Sequence, residues 1–263
     1  MIQRRVQKAF SGSAVRYDQN ALLQRDVSRQ LLAAAAALPD DGAVLDIGMG
    51  TGRMAAELKC RRPRVHVVGV DLAFGMVAFA RRRHRQVQAV QADALRLPFK
   101  NSCFDAVVSN LAFQWIDDLS QAFYQINRVL KMDGPFLLTV FTRKTLWELY
   151  QSLGETARRP AGGRLISDSR LPEEREVFKA LEGTGFSIEN KNRQENRQQY
   201  ASLMALLRWL KATGANAMNS DIFVGPQWLQ DAERYYHYNF QWHDGVQATF
   251  EIMQVVARKR KSL

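Results

Sequence analysis

Between residues 43 and 141 the chain alternates short β-branched apolar runs with stretches whose apolar positions recur every three or four residues. Runs of the first kind fit buried strands, and stretches of the second fit helices with one buried face. Strands are predicted at 44–47, 65–70, 87–91, 104–109 and 136–141, with helices at 53–59, 74–83 and 119–130. In the last helix Leu119, Phe123, Ile126 and Leu130 fall on one stripe. Strands alternating with helices imply parallel βαβ units, hence a doubly wound α/β fold whose mostly parallel sheet carries helices on both faces.

The flanks are less regular. Residues 1–39 read as a helical segment that precedes the core. Beyond the core, 145–157 and 173–181 look helical, with an exposed loop at 158–169 between them. A sixth strand is expected at 186–190, then helices at 200–211 and 227–234. The chain is expected to close with a hairpin whose first arm, 235–243, turns at Asp244-Gly245 into 246–257. The reading is therefore one domain of 263 residues: an N-terminal lid (1–39), a core (40–142), two substrate-side inserts (143–185 and 200–234) and a C-terminal hairpin with a basic tail (235–263).

Composition narrows the function classes. No stretch approaches the roughly 18 apolar residues of a membrane span. Residues 1–5 run into an amphipathic segment and not the apolar centre of a signal peptide, so a cytoplasmic protein without membrane contact is expected. Cys60 and Cys103 fit no redox or metal spacing and the four histidines form no ligand cluster, so no metal is expected. The net charge of +11 favours an acidic partner. It is concentrated at 61–64, 81–85 and 258–261, with no nucleic-acid-binding motif beside it.

The most informative run is Val44-Leu45-Asp46-Ile47-Gly48-Met49-Gly50-Thr51-Gly52, where a strand ends in an acid and glycines at alternate positions lead into a helix. Glycines there let the backbone turn sharply and approach a ligand. A dinucleotide fingerprint would need glycine at position 53, where Arg53 stands. The GxGxG form with an acid before it suits a ligand with an ammonium and a sulfonium but no pyrophosphate. Asp71 ends the second strand, placed to accept hydrogen bonds from ribose hydroxyls. Asp93 follows the third strand, placed to meet an adenine amino group.

These motifs resemble those of class I S-adenosylmethionine-dependent methyltransferases. Arg128-Val129-Leu130-Lys131-Met132-Asp133-Gly134 is similar to that family's RVLKPGG run, with Met132 and Asp133 replacing proline and glycine. The resemblance implies a Rossmann-like, seven-stranded sheet and S-adenosyl-L-methionine as cofactor. It places Asp46, Gly48, Gly50, Gly52, Asp71, Leu72, Asp93, Ala94 and Asn110 around that cofactor.

Three further stretches are similar to a narrower family, the malonyl-acyl-carrier-protein O-methyltransferases of biotin synthesis. They are Phe10 through Tyr17 to Leu23-Gln24-Arg25, the run Ser109-Asn110-Leu111-Ala112-Phe113-Gln114-Trp115, and Leu210-Lys211-Ala212-Thr213-Gly214-Ala215. What this resemblance implies is methylation of the free carboxylate of a malonyl thioester, carried by acyl carrier protein or coenzyme A. A carboxylate is ionised at neutral pH, so no general base is required. Tyr17, Gln114 and Trp115 are then the residues beside the transferred methyl group, and Arg143 or Arg164 the cation for the malonyl carboxylate. Arg4, Arg5, Lys8 and the run 81–85 would steer an acidic carrier protein. Open alternatives are a class I methyltransferase for another small molecule, an RNA methyltransferase, and an assembly factor or hydroxylase that binds the cofactor without transferring a methyl group.

Overall fold

The apolar runs assemble side by side because the central ones are buried on both faces, and only a sheet covered by helices on both sides achieves that. The computed structural model describes residues 2–33, 38–157, 171–215 and 225–260. At its centre β1 (Asp41–Ile47) pairs in parallel with β2 (Arg64–Asp71) on one side and β4 (Ala106–Asn110) on the other. β3 (Gln88–Gln91) and β5 (Pro135–Phe141) extend the parallel part outward. β8 (Gly245–Lys259) then runs antiparallel to β5, with β6 (Phe186–Tyr200) antiparallel at the edge. The strand order is β3-β2-β1-β4-β5-β8-β6, and the two-residue β7 (Gln241–Trp242) hangs on β8.

Neighbouring residues of β1 face opposite layers, as the pleat requires. Val44 packs with α2 (Leu22–Ala33) and α3 (Arg53–Arg61). Leu45 packs with α5 (Leu119–Val129) and α7 (Glu174–Gly183). Asp118 caps α5 by accepting from the Gln121 amide at 2.8 Å, and the helix lays Phe123 against Phe113 and Phe136, ring centroids 5.0 and 5.6 Å apart. α4 (Phe74–Arg83) follows β2. Around the carboxyl ends of the strands stand α1 (Ile2–Asn20), α6 (Trp147–Ala157), α8 (Leu203–Ala212) and α9 (Pro226–Phe240). Chain direction around the sheet reverses at β1 and β4, which opens a crevice at their carboxyl ends, where such folds bind ligands. Among the described residues no helix is long and apolar enough to cross a membrane.

Three expectations need correction. The sixth strand does not stop at 190 but continues to Tyr200, so the helix expected from 200 begins at Leu203. The extension Asn190–Tyr200 is polar throughout because it is an edge strand held by its ladder to β8 and not by burial. Residues 235–240 are not the first arm of a hairpin; they complete α9, in which Ala232, Tyr236 and Phe240 form a buried i, i+4, i+8 stripe. Aromatic residues at 235, 236, 238 and 240 imitate strand alternation, but packing selects the helical period. The hairpin shrinks to β7 and the start of β8, with Trp242 paired to Gly245. Part of the basic tail is structural as well. Arg258 bonds Glu189 and the Asp133 carbonyl, and Lys259 Nζ donates to the carbonyls of Asn127 and Leu130, both at 2.7 Å, at the C-terminus of α5.

Candidate functional site

The glycine loop sits at the crevice because β1 ends there and the chain must fold back over β2. The amides of Gly48 and Met49 both donate to the Val70 carbonyl, at 2.9 and 3.0 Å. Gly48, Gly50 and Gly52 have φ of +69°, +56° and +79°, a region in which side-chain-bearing residues are strained. Their surroundings differ. A Cβ at Gly48 would lie 2.3 Å from the Ala112 Cβ, and one at Gly52 would lie 2.9 Å from the Ala80 Cβ on α4. Nothing lies within 4 Å of a Cβ at Gly50. The outer two glycines make room for the protein, and the middle one leaves room for a ligand.

The predicted acids stand around this loop. Asp46 is fully buried and neither carboxylate oxygen has a hydrogen-bond partner. Burial, and then the charge of Asp71, push its pKa up to about 8. Such a pair of orphaned buried acceptors is unfavourable without a donor, and an ammonium supplies both donors and the opposite charge. Asp71 is better served: Oδ2 accepts from the Gly50 amide at 2.9 Å and Oδ1 from the Ala73 amide at 2.8 Å. Burial still raises its pKa, against the lowering effect of those two amides. Asp93 Oδ1 accepts from the Leu95 amide at 2.9 Å.

Gly48, Gly50, Asp71, Leu72, Asp93, Ala94 and Asn110 all wall one cavity of about 120 Å³. Asp46 faces a smaller recess of about 60 Å³ on the other side of the glycine loop, which Gly48, Gly50 and Asn110 share. Gly52 walls neither; its place is the contact with α4. Asn110 also has a structural task, since its Nδ2 donates to the Gln24 carbonyl at 3.0 Å and its Oδ1 accepts from Thr139 Oγ1 at 2.8 Å. α1 covers the cavity with Val6, Gln7, Phe10 and Tyr17. It is pinned there by Gln7 Nε2 donating to the Leu72 carbonyl at 3.1 Å and by Thr51 Oγ1 donating to Asp18 at 2.7 Å. These residues fit a cofactor with an adenosine part and a zwitterionic amino-acid part.

A second chamber, about 230 Å³, adjoins the first, and Phe10, Tyr17, Leu111 and Trp115 face both. Its remaining walls are mostly apolar and include Leu146 just before α6, Leu149 of α6, Leu207 and Leu210 of α8 and Phe250 of β8. Trp115 meets the edge of Phe10 with centroids 5.3 Å apart. Gln114 is buried; its Nε2 donates to the Leu111 carbonyl at 2.7 Å and its Oε1 has no partner. Tyr17 faces both cavities and the recess. Burial, with Asp71 and Asp18 nearby, raises its pKa above the ordinary tyrosine range, so it remains a phenol and a hydrogen-bond donor.

The structure thus brings Tyr17, Gln114 and Trp115 together at the chamber. It does not bring Arg143 there: this side chain pairs with Glu173 at 2.5 Å, at the start of α7, and walls neither cavity. The acidic first turn of α7 offers the guanidinium a nearer partner than the chamber does. Arg164 lies outside the described residues. Among the described residues no Arg, Lys, His or Cys walls the chamber. Phe10 and Gln24, both inside the N-terminal motif, are wall residues that sequence reasoning left without a role. Their signal was the motif's spacing, which places them on the inner face of α1 and α2.

A family model described as a methyltransferase domain matches residues 45–138. Malonyl-(acyl-carrier protein) O-methyltransferase of Geobacter sulfurreducens is 33% identical over 98% of this chain and 99% of its own length. Among solved structures, the YcgJ protein of Bacillus subtilis superposes with a TM-score of 0.64 at 21% identity, covering 89% of this chain and 99% of that one. Geranyl diphosphate C-methyltransferase of Streptomyces coelicolor does so with a TM-score of 0.53 at 16% identity, covering 88% and 78%. Both structures share the fold described above.

Proposed function

This chain belongs to the malonyl-(acyl-carrier protein) O-methyltransferase family, and on that premise we propose that it esterifies the free carboxylate of a malonyl thioester in biotin synthesis. It is an S-adenosylmethionine-dependent methyltransferase. When bound, the cofactor supplies a methyl group on a positively charged sulfur. Asp46 would hold its ammonium, Asp71 the ribose and Asp93 the adenine. The remaining steps belong to the chain's own residues.

The observation that carries the reading is the chamber's chemistry. A carboxylate and a sulfonium react to a neutral ester and a neutral thioether, so charge disappears along the path. Apolar walls favour that path because they withhold the water that stabilises the separated ions. Phe10, Leu111, Trp115 and the leucines of α6 and α8 form such walls. A carboxylate needs no base, in keeping with a chamber whose described walls hold no His, Cys or Lys. The phenol of Tyr17 donates to the bound carboxylate and aligns one oxygen, and the amide of Gln114 closes the other side. Methylation of a carboxylate oxygen would move no proton, so these residues need only hold the carboxylate in place and exclude water. α1, carrying Tyr17, serves as the lid.

Incubation with methyl-labelled cofactor and parallel acceptors tests the proposal. Label is expected as an alkali-labile ester on malonyl-acyl carrier protein and malonyl-coenzyme A, and not on acetyl-acyl carrier protein. Preference for the carrier protein should shrink with added salt, because Arg4, Lys8 and the 81–85 run steer by charge. Label on acetyl thioesters, or none on malonyl ones, would overturn the carboxyl assignment. Tyr17→Phe is expected to lower kcat by about 10- to 100-fold while cofactor affinity stays within about threefold. Because burial keeps Tyr17 protonated, wild-type kcat should stay flat between about pH 6 and pH 9. A kcat unchanged in the variant, or one that tracks a titration in that range, removes Tyr17 from the reaction.

A further inference from the structure

A malonyl group has a single methylene between its free carboxylate and its thioester, and the chamber holds more than that. Its volume is about 230 Å³, whereas a cavity of about 150 Å³ lined by Leu, Ile and Phe already holds a benzene ring. The cofactor cavity meets the chamber at Phe10, Tyr17, Leu111 and Trp115, which face both. The outer side is marked by Leu229 of α9, which faces the chamber and also a surface groove beside Met204 and Pro226.

The wall between these limits decides the chemistry of the occupant. Leu149 and Leu153 of α6, with Leu207 and Leu210 of α8, supply hydrocarbon. Among the described residues no charged side chain walls the chamber. Its polar wall groups at Thr145, Thr213 and Trp209 are already engaged. Thr145 Oγ1 donates to the Glu251 carbonyl and accepts from the Glu251 amide, both at 3.0 Å. Thr213 Oγ1 donates to the Trp209 carbonyl at 3.0 Å, and Trp209 Nε1 to the Asn20 carbonyl at 2.9 Å. The amides of a pantetheine arm find few partners on such walls, and burying an amide without a partner is unfavourable. A methylene chain needs no partner and gains from burial. We propose that this chain also methylates the free carboxylate of longer straight-chain dicarboxylic thioesters, glutaryl and adipoyl, whose methylenes lie on the leucines of α6 and α8. The inference rests on the carboxyl-methylation reading above. As with malonyl, a carboxylate oxygen would gain the methyl group while the electron pair of the broken bond stays on the donor sulfur, and no proton moves.

Initial rates with methyl-labelled S-adenosylmethionine and malonyl-, glutaryl- and adipoyl-coenzyme A test it. KM should fall by about two- to fourfold for each added methylene. The turnover number kcat should stay within about threefold of the malonyl value, because the carboxylate meets the same Tyr17 and Gln114. Leu229→Trp, which shortens the chamber from its outer side, should lower kcat/KM for adipoyl relative to malonyl by at least about 10-fold. A KM that rises along the wild-type series overturns the inference, and that comparison needs no variant to fold. So does a glutaryl or adipoyl thioester used at least about 10-fold less efficiently than malonyl, or a ratio that Leu229→Trp leaves unchanged. Absence of label from all three thioesters would overturn instead the carboxyl reading beneath it.

Discussion

Asp46→Asn is expected to weaken S-adenosylmethionine by at least about 100-fold, and yet to raise the melting temperature of the ligand-free protein near pH 8. The first effect follows from removing the anionic half of a buried charge pair, a loss of about 2–5 kcal/mol when the other half stays unpaired. The second follows from what Asp46 suffers without a ligand. Its carboxyl is fully buried with no hydrogen-bond partner, and its pKa is raised to about 8. Between the ordinary carboxylate range and about 8, the folded protein therefore holds a proton that the unfolded chain has released. Stability falls with pH wherever the folded state binds more protons, so Asp46 contributes a decline that runs through this window and is complete above it. The asparagine variant carries no such proton and should lack the decline. Cofactor binding has the opposite dependence: an ammonium favours the ionised carboxylate, so at neutral pH binding expels a proton and affinity rises towards pH 8. Melting curves of the ligand-free protein between about pH 5 and pH 9, with titrations at the same values, measure both slopes. A variant that binds within threefold of wild type, or one that keeps the decline, refutes this role for Asp46.

Gly48→Ala is expected to cost about 2–5 kcal/mol of stability and most of the activity. Two effects add. The residue sits at φ +69°, where a side chain is strained by about 1–2 kcal/mol. Its Cβ would also lie 2.3 Å from the Ala112 Cβ, and overpacking of that kind typically adds 1–3 kcal/mol. Ala112 precedes the 3-10 turn Phe113–Trp115, so the relief of that clash moves Gln114 and Trp115, which wall the chamber. A melting temperature lower by about 10 °C is expected for a loss of this size in a chain of this length. Gly50→Ala is the control. It has a similar φ, +56°, but open space around the added carbon, so its stability should fall by the strain alone, roughly 1–2 kcal/mol. Its methyl group enters the cofactor's space, so affinity should suffer more than stability. Equal melting temperatures for the two variants would show that the Ala112 contact has no weight.

How far the site was legible depended on how local its determinants are. Asp46, Asp71 and Asp93 each stand at or just past the end of a strand and precede a break in the pattern, and parallel strands bring their carboxyl ends to one edge. Once the α/β alternation is recognised, their convergence needs no further information. Tyr17, Gln114 and Trp115 were legible only through resemblance, because nothing local distinguishes them from core residues of the same type. Arg143 illustrates what fails. Its type and its place after β5 suited a carboxylate ligand, but Glu173, thirty positions away along the chain, takes its charge. Such pairing depends on how α7 lies against the sheet, which no spacing encodes.

By itself the sequence determined the parallel core, the glycine loop and the acids at the strand ends, and its resemblance to a family supplied the cofactor. The first three follow from periodicity and backbone geometry, which act over a few residues. Only the tertiary structure decided that polar residues 190–200 form a strand and aromatic residues 235–240 a helix. There the ladder to β8 and the burial of Tyr236 and Phe240 outweigh local pattern. The tertiary structure also decided that Asp46 faces the recess and that Tyr17 joins the two cavities. The physical reason is the same in each case: burial and charge pairing are set by partners distant in sequence, and they emerge when the layers pack.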